Sequence, residues 1–387
     1  MLSNSAVILL NDDGASPDKP LMLQDVLFAP VLRWVYEELR QAGIQRFFIL
    51  SPSDWMSDAE LCCRGAEIAA LDDPTAEERF IRFAGEAAGK LIVLPRPLWL
   101  SHAAVFTLTH SDVLPWESGF TAAVRIAPDQ AAQYGFSAME FGEAYAPGLG
   151  GPSPAVLPLQ QQSDLSDLQY LARFDRIAAL EEQGVRFLDR ETAYIDPQVQ
   201  VGSGTLILPN VILRGDTSIG SGCEIGPNTM IRDSRIGDRV TINASQAREC
   251  CVGDDAQIGP WSNLRPGTVL GSRVHIGDFV ELKNAVIGDD TWAAHLAYIG
   301  DADVGKGCNF GCGSMTVNYD GREKHRTTVK DHVFIGCNTN LIAPVTVESN
   351  AFTAAGTTVT EDVPPDTLAI GRSRQENKVG WNAERTE

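Results

Sequence analysis

The chain has 387 residues, 44% of them hydrophobic, and a formal net charge of −20 from 31 Lys and Arg against 51 Asp and Glu. That length exceeds one ordinary core, so two domains are expected. The acidic balance excludes nucleic acid and anionic membrane surfaces as partners, since both need an extended basic surface. No apolar run reaches the roughly 18 residues of a membrane-spanning helix.

The first residues, Met1-Leu-Ser-Asn-Ser-Ala-Val-Ile-Leu-Leu, carry no basic segment, and their apolar run stops at Asn11-Asp12-Asp13. This predicts a buried first strand and no signal peptide. Without an export signal, the eight cysteines, which form no CxxC pairs, are expected to be reduced thiols in a cytoplasmic protein. Ala6–Leu10, Arg46–Leu50 and Lys90–Leu94 read as buried strands, with helical patterns near Val26–Gln41 and Thr75–Ala88. Residues 1–160 are therefore expected to form an α/β domain of the Rossmann-like class. The polar run from Gln160 leads into a predicted helix over Asp167–Gln183, with Ser163 and Ser166 as candidate N-caps. Residues 161–190 form this connecting arm.

From Ile195 the pattern changes to a period of six, with aliphatic residues at Val201, Ile207, Leu213, Ile219, Ile225 and Ile231. The row resumes at Val252, Ile258, Leu264, Leu270, Ile276 and Leu282, and again at Val329, Ile335, Leu341 and Val347. An amphipathic helix cannot produce this, because a six-residue step drifts around a 3.6-residue turn. Hexads instead give a triangular parallel β-helix, three per coil, and residues 191–363 are assigned to it. Residues 364–387 are expected to be a C-terminal tail.

Two positions that usually hold glycine hold cations, Arg265 after Leu264 and Lys283 after Leu282. Three hexads apart, they should meet at one corner of adjacent coils, about 4.8 Å apart. At an effective dielectric near 20 they would repel by roughly 3 kcal/mol, which points to an anionic partner. The segment Trp292–Asp301 adds His295 and Tyr298 beside that column, and Asn309 follows. A polar stretch from Asn318, with Lys324 and His325, interrupts the hexads. Loops leaving a rigid scaffold are where function concentrates.

Several segments in fixed order, Leu264-Arg-Pro-Gly-Thr, Phe279-Val-Glu-Leu-Lys283, His295-Leu-Ala-Tyr298-Ile-Gly-Asp, Val317-Asn-Tyr-Asp-Gly and Leu341-Ile-Ala-Pro-Val-Thr-Val, carry a family resemblance. Residues 167–381 resemble the acetyltransferase domain of the bacterial bifunctional N-acetylglucosamine-1-phosphate uridyltransferase/glucosamine-1-phosphate N-acetyltransferase. The resemblance implies a left-handed coil, a homotrimer with its site between subunits, and N-acetylation of glucosamine-1-phosphate by acetyl-CoA, a step toward peptidoglycan precursors. It places Arg265, Lys283, Tyr298, Asn309 and Lys324 at the sugar-phosphate site and makes His295 the general base. Cys312, Asn318, Tyr319, Cys337, Ala355 and Arg372 fall at acetyl-CoA positions, with Cys312 standing where alanine is expected and Cys337 where serine is expected. No metal is implied for acetyl transfer, and the remaining histidines show no metal-ligand spacing.

In this family the first domain is a nucleotidyltransferase. Its glycine-rich loop should carry an arginine and a lysine, but Asn11–Pro20 keeps only Gly14 and Lys19 and adds Asp12 and Asp13. The acidic metal ligand expected after the third strand is replaced by Leu94-Pro-Arg-Pro-Leu. Loss of uridyl transfer is therefore expected, and magnesium would be needed only if that activity were retained. The alternatives are an enzyme that keeps both activities and a non-catalytic scaffold that binds a nucleotide sugar.

Overall fold

The computed structural model describes residues 4–11, 16, 18–110, 113–115, 121–137 and 156–381. The chain divides into two compact units, residues 1–183 with 193–199, and residues 184–192 with 200–387.

The first unit is built on a six-stranded sheet. Its strands are β1 (Ser5–Leu9), β2 (Arg46–Ser51), β3 (Glu67–Ala70), β4 (Leu91–Leu94), β5 (Val113–Pro115) and β6 (Thr121–Ile126). They lie in the order β3-β2-β1-β4-β6-β5. The first four are parallel and the last two join antiparallel. Alternate residues of β1 feed separate cores, Ala6 and Ile8 on one face and Val7 on the other. A strand covered on both faces reads as a continuous apolar run, which is why the sequence marks it clearly. The order 3-2-1-4 is that of nucleotide-binding Rossmann-like sheets, whose ligands sit beyond the carboxyl ends of the strands at the switch between β1 and β4.

The helices depart from expectation at their starts. Helix α1 spans Val31–Gln41, because Asp25–Val26 and Ala29–Pro30 form a small hairpin ahead of it and Pro30 precedes its first residue. Helix α2 covers Ala76–Gly85, three residues shorter than predicted at its C-terminal end. The arm helix, α3, begins earlier, spanning Asp164–Glu182, and neither serine caps it through its side chain. Asp164, the first helical residue, instead ties down the preceding turn, its Oδ2 accepting the Gln160 and Gln161 backbone N–H groups at 2.8 and 3.1 Å.

The second unit is a left-handed parallel β-helix of hexapeptide repeats. Strand pairs repeat coil by coil, Ile207 on Ile225, Leu264 on Leu282 and Phe310 on Ile335, and the inward aliphatic side chains are buried. The gap in the hexad row between Ile231 and Val252 is filled by Ile236, Ile242 and Ala247, each inward, with five-residue steps replacing some of the six-residue ones. Glycine at the corners has a steric cause: a Cβ on Gly253 would lie 2.6 Å from the Gly271 carbonyl carbon of the next coil. Pairing continues to Leu368–Ala369, which add to Phe352–Thr353, inside the stretch expected as tail.

Candidate active site

Leu264 and Leu282 point inward in register, so Arg265 and Lys283 emerge at one corner, with the Arg265 N–H donating to the Leu282 carbonyl at 2.9 Å. Each cation meets a carboxylate of its own chain. Arg265 Nη1 lies 2.6 Å from Glu281 Oε1, and Lys283 Nζ lies 3.3 Å from Asp301 Oδ2. The predicted repulsion is thus answered first from within the fold.

Asp301 anchors the group. It is buried, its backbone φ is 48°, and it accepts hydrogen bonds from Asn284 Nδ2 at 2.7 Å and from Asn318 Nδ2. Burial opposes its ionisation, but the bonds from Asn284, Asn318 and Lys283 outweigh that and hold its carboxyl below the usual range. Asn318, expected at the cofactor, thus reaches the Arg265–Lys283 cluster through Asp301. Lys324 completes three cations against two carboxylates, and it has no ion pair of its own among the described residues. The neighbouring Lys283, with Arg265 adding to it, holds the Lys324 ammonium below the usual lysine value. Three cations against two carboxylates leave this corner with a surplus positive charge that an anion would offset. Tyr298 lies on the strand between them, its ring leaning along the chain over Gly300, where a Cβ would sit 2.3 Å from the phenol oxygen.

His295 ends the strand Trp292–His295 of the adjoining sheet. It pairs in register with Asp278 of the preceding coil, and its Nδ1 lies 2.6 Å from Asp278 Oδ1. The imidazole holds the Asp278 carboxyl below its usual value. The His295 side chain is 64% exposed, so its other nitrogen faces solvent. Since Phe310 pairs with Ile335 and Ile335 with Thr353, the row runs on from Asp278 and His295 through Cys312 and Cys337 to Ala355. Three residues assigned to acetyl-CoA by resemblance therefore stack directly beyond the expected base. Gly371 continues the row, and Arg372 follows it, its side chain beside Gly356.

Asn309 is not brought to the face of the cations but to the sheet that carries His295. It occupies the outer row of that sheet, between Trp292 and Phe334. That row is apolar and exposed, with Phe334 stacked on Phe352 at 5.2 Å and His275 on Trp292 at 4.7 Å.

Lys324 and Tyr319 ride on a short excursion closed by a bridge between them. Asp320 pins it, accepting the Glu323 and Arg322 backbone N–H groups at 2.7 and 2.8 Å and the His325 ring at 2.8 Å. The Glu323 backbone N–H chiefly, then His325, hold the Asp320 carboxyl down at about 2. A depressed carboxyl stabilises above its unfolded pKa and loses that contribution as pH falls through the folded value. The excursion should therefore keep its amide protection from neutrality to about pH 4 and lose it toward pH 2. Asp320→Ala should remove that protection at neutral pH, as read by hydrogen exchange at Arg322 and Glu323.

Sequence reasoning missed Asp278, Glu281, Asn284 and Asp301. Their signal was the coil repeat itself: Asp278 precedes His295 by 17 residues and Asp301 follows Lys283 by 18, one turn in each case.

In the first unit, Lys19 is engaged, its Nζ 2.8 Å from Asp58 Oδ1 and 5.6 Å from the Trp55 ring centroid. It lines an open cavity of about 560 Å³ with Asp18, Gln24, Asp25 and Gln162. Asp12, Asp13 and Gly14 lie outside the described residues.

Residues 190–290 match the family model described as the GMPPB C-terminal domain. The chain is 46% identical over 228 residues to the Bifunctional protein GlmU of Alkaliphilus metalliredigens, covering 59% of this chain and 50% of that protein. It is 53% identical over 199 residues to the Trichlorobacter lovleyi protein of the same name, covering 51% and 43%. It is homologous to these GlmU proteins over those spans, and it spans about half the length of the curated relatives it matches. The solved Arabidopsis UDP-N-acetylglucosamine acyltransferase aligns with 49% of this chain and 70% of its own, at 17% identity and a TM-score of 0.32.

Proposed function

We propose that the second unit transfers the acetyl group of acetyl-CoA to the amine of glucosamine-1-phosphate. The observation that carries this reading is the Asp278–His295 pair continued in one row by Cys312, Cys337 and Ala355, with the surplus cation of the Arg265–Lys283–Lys324 cluster on the adjoining sheet. With Nδ1–H donated to Asp278, Nε2 of His295 carries the lone pair that takes a proton from the sugar ammonium. The freed amine attacks the thioester carbonyl, a C–N bond forms, the C–S bond breaks, and CoA leaves as the thiol. The three cations hold the phosphate while Tyr298 orients the sugar, so amine and thioester meet without a large entropic barrier.

Asn309 shares a sheet with His295 but not with the cations of its own chain, so its expected place at the sugar phosphate is met by a neighbouring copy in a homotrimer. The corner residues Trp261, Phe279 and Leu296 support such a neighbour. All three are more than half exposed, and each holds a positive φ of 38–59°. Bulky residues pay roughly 1–3 kcal/mol for that conformation, a cost usually met at functional surfaces. The transferase comes as a trimer in this reading, and light scattering showing an active monomer would contradict it.

Thiol release by the purified protein, compared across glucosamine-1-phosphate, glucosamine-6-phosphate and glucosamine, tests the acceptor. Turnover of either alternative in preference to the 1-phosphate would sink the substrate assignment.

The first unit is read as a Rossmann-like remnant without uridyl transfer. The lysine expected at the triphosphate is neutralised by Asp58, and Asp18 and Asp25 share its cavity. No UDP-N-acetylglucosamine should form from UTP and N-acetylglucosamine-1-phosphate with magnesium. Product accumulating in proportion to enzyme would restore the bifunctional reading.

A further inference from the structure

Five of the eight cysteines are buried and three are exposed, Cys251, Cys312 and Cys337. Burial pushes the Cys62 and Cys250 thiols up to about 11, which keeps them protonated and unreactive. Cys251 has Arg235 and Val269 as its in-register neighbours. Cys312 and Cys337 differ from the rest because they neighbour each other.

Phe310 pairs with Ile335, the Gly311 N–H donates to the Ile335 carbonyl at 2.8 Å, and the Asn338 N–H donates to the Cys312 carbonyl at 2.8 Å. These bonds set Cys312 and Cys337 in register on adjacent coils, with Cα atoms about 4.8 Å apart, inside the 4.4–6.8 Å range a disulfide spans. Their Cβ atoms must approach by about 1 Å to reach disulfide geometry. An exposed and somewhat strained disulfide is of the labile kind, made and broken by exchange. The chain between them carries the excursion with Asn318, Tyr319 and Lys324, and their row continues to His295 on one side and Ala355 on the other.

We propose that Cys312 and Cys337 form a reversible dithiol–disulfide pair, and that its oxidation closes the face beyond His295 to acetyl-CoA. The closing half of this inference rests on the acetyl-transfer reading above, and the thiol chemistry does not. The oxidant is a low-molecular-weight disulfide. The thiolate of one cysteine attacks it, forming a mixed disulfide and releasing one small thiol. The second cysteine's thiolate then attacks the protein sulfur of that mixed disulfide and releases the other small thiol. Two protein thiols are oxidised to one disulfide, and the small disulfide is reduced to two thiols. The bridge draws the corner of two coils together and replaces two separate side chains on the row assigned to the cofactor.

The test treats the reduced full chain with oxidised glutathione, blocks remaining thiols under denaturing conditions, and maps the peptides. The expected result is a linked Cys312–Cys337 peptide and an acetyl-transfer rate at least tenfold lower, restored by dithiothreitol. Cys251→Ser should respond as the parent chain does, and Cys312→Ala should yield Cys337 only as its glutathione adduct. Glutathione adducts on both cysteines without a linked peptide would overturn the proposal, as would a linked peptide with an unchanged rate. If the reduced chain transfers no acetyl group, the acetyl-transfer reading and the closing half fall together. The linked peptide from the same sample still decides the thiol pair.

Discussion

His295→Ala should lower turnover at saturating substrate by roughly 10²–10⁴-fold while leaving sugar-phosphate affinity and the melting temperature nearly unchanged. The kinetic loss follows from removing the one group placed to take the ammonium proton. The small stability effect follows from exposure: His295 and Asp278 are 64% and 39% exposed, and such surface pairs are worth about 0–1 kcal/mol. A structural histidine would behave in the opposite way, with activity falling only as folded protein is lost. Turnover and melting temperature measured on the same preparation separate the two. A stable variant with nearly normal turnover would end the general-base assignment.

Arg265→Ala should act mainly on affinity. A hydrogen bond to a charged group contributes about 1.5–3 kcal/mol, which corresponds to a roughly 10- to 150-fold rise in the dissociation constant for the sugar phosphate. Its pair with Glu281 is more than a third exposed on both sides, so losing it should cost little stability. Glu281 then remains beside Lys283 and Lys324 and withdraws part of their charge from the ligand, which places the effect toward the upper end. Titration of glucosamine-1-phosphate into the variant by calorimetry reads the change directly. An unaltered affinity would remove Arg265 from the phosphate site.

The β-helix was legible because its signal is one-dimensional. A residue such as Leu264 must point inward in every coil, and Leu282 repeats it one turn later. The five-residue steps to Ile236, Ala247 and Val252 were not legible, since the corners at Asp233, Ala244 and Glu249 are one residue shorter without any marked residue type. Among the site residues, the cations and His295 stood out as exceptions to the repeat. Asp278 and Asp301 did not, because acidic residues are common at these corners and only the coil register identifies their partners. Asn309 was read together with the cluster although it faces another way. Sequence order suggested one surface for the whole cluster, but Asn309 shares its sheet with His295 and the cations stand on the adjoining one. In the first unit the strands were clear from their apolar runs, whereas α1 started late because Pro30 and the preceding hairpin interrupt a pattern that composition alone lets run back to Val26.

The central claim is acetyl transfer to the amine of a sugar phosphate. It is tested most directly by mass spectrometry of the product formed by the full chain from acetyl-CoA and glucosamine-1-phosphate, with CoA thiol titrated in parallel. The account predicts N-acetylglucosamine-1-phosphate and free thiol in a one-to-one ratio, abolished in His295→Ala. Binding of both ligands with no thiol released and no acetylated sugar would contradict it.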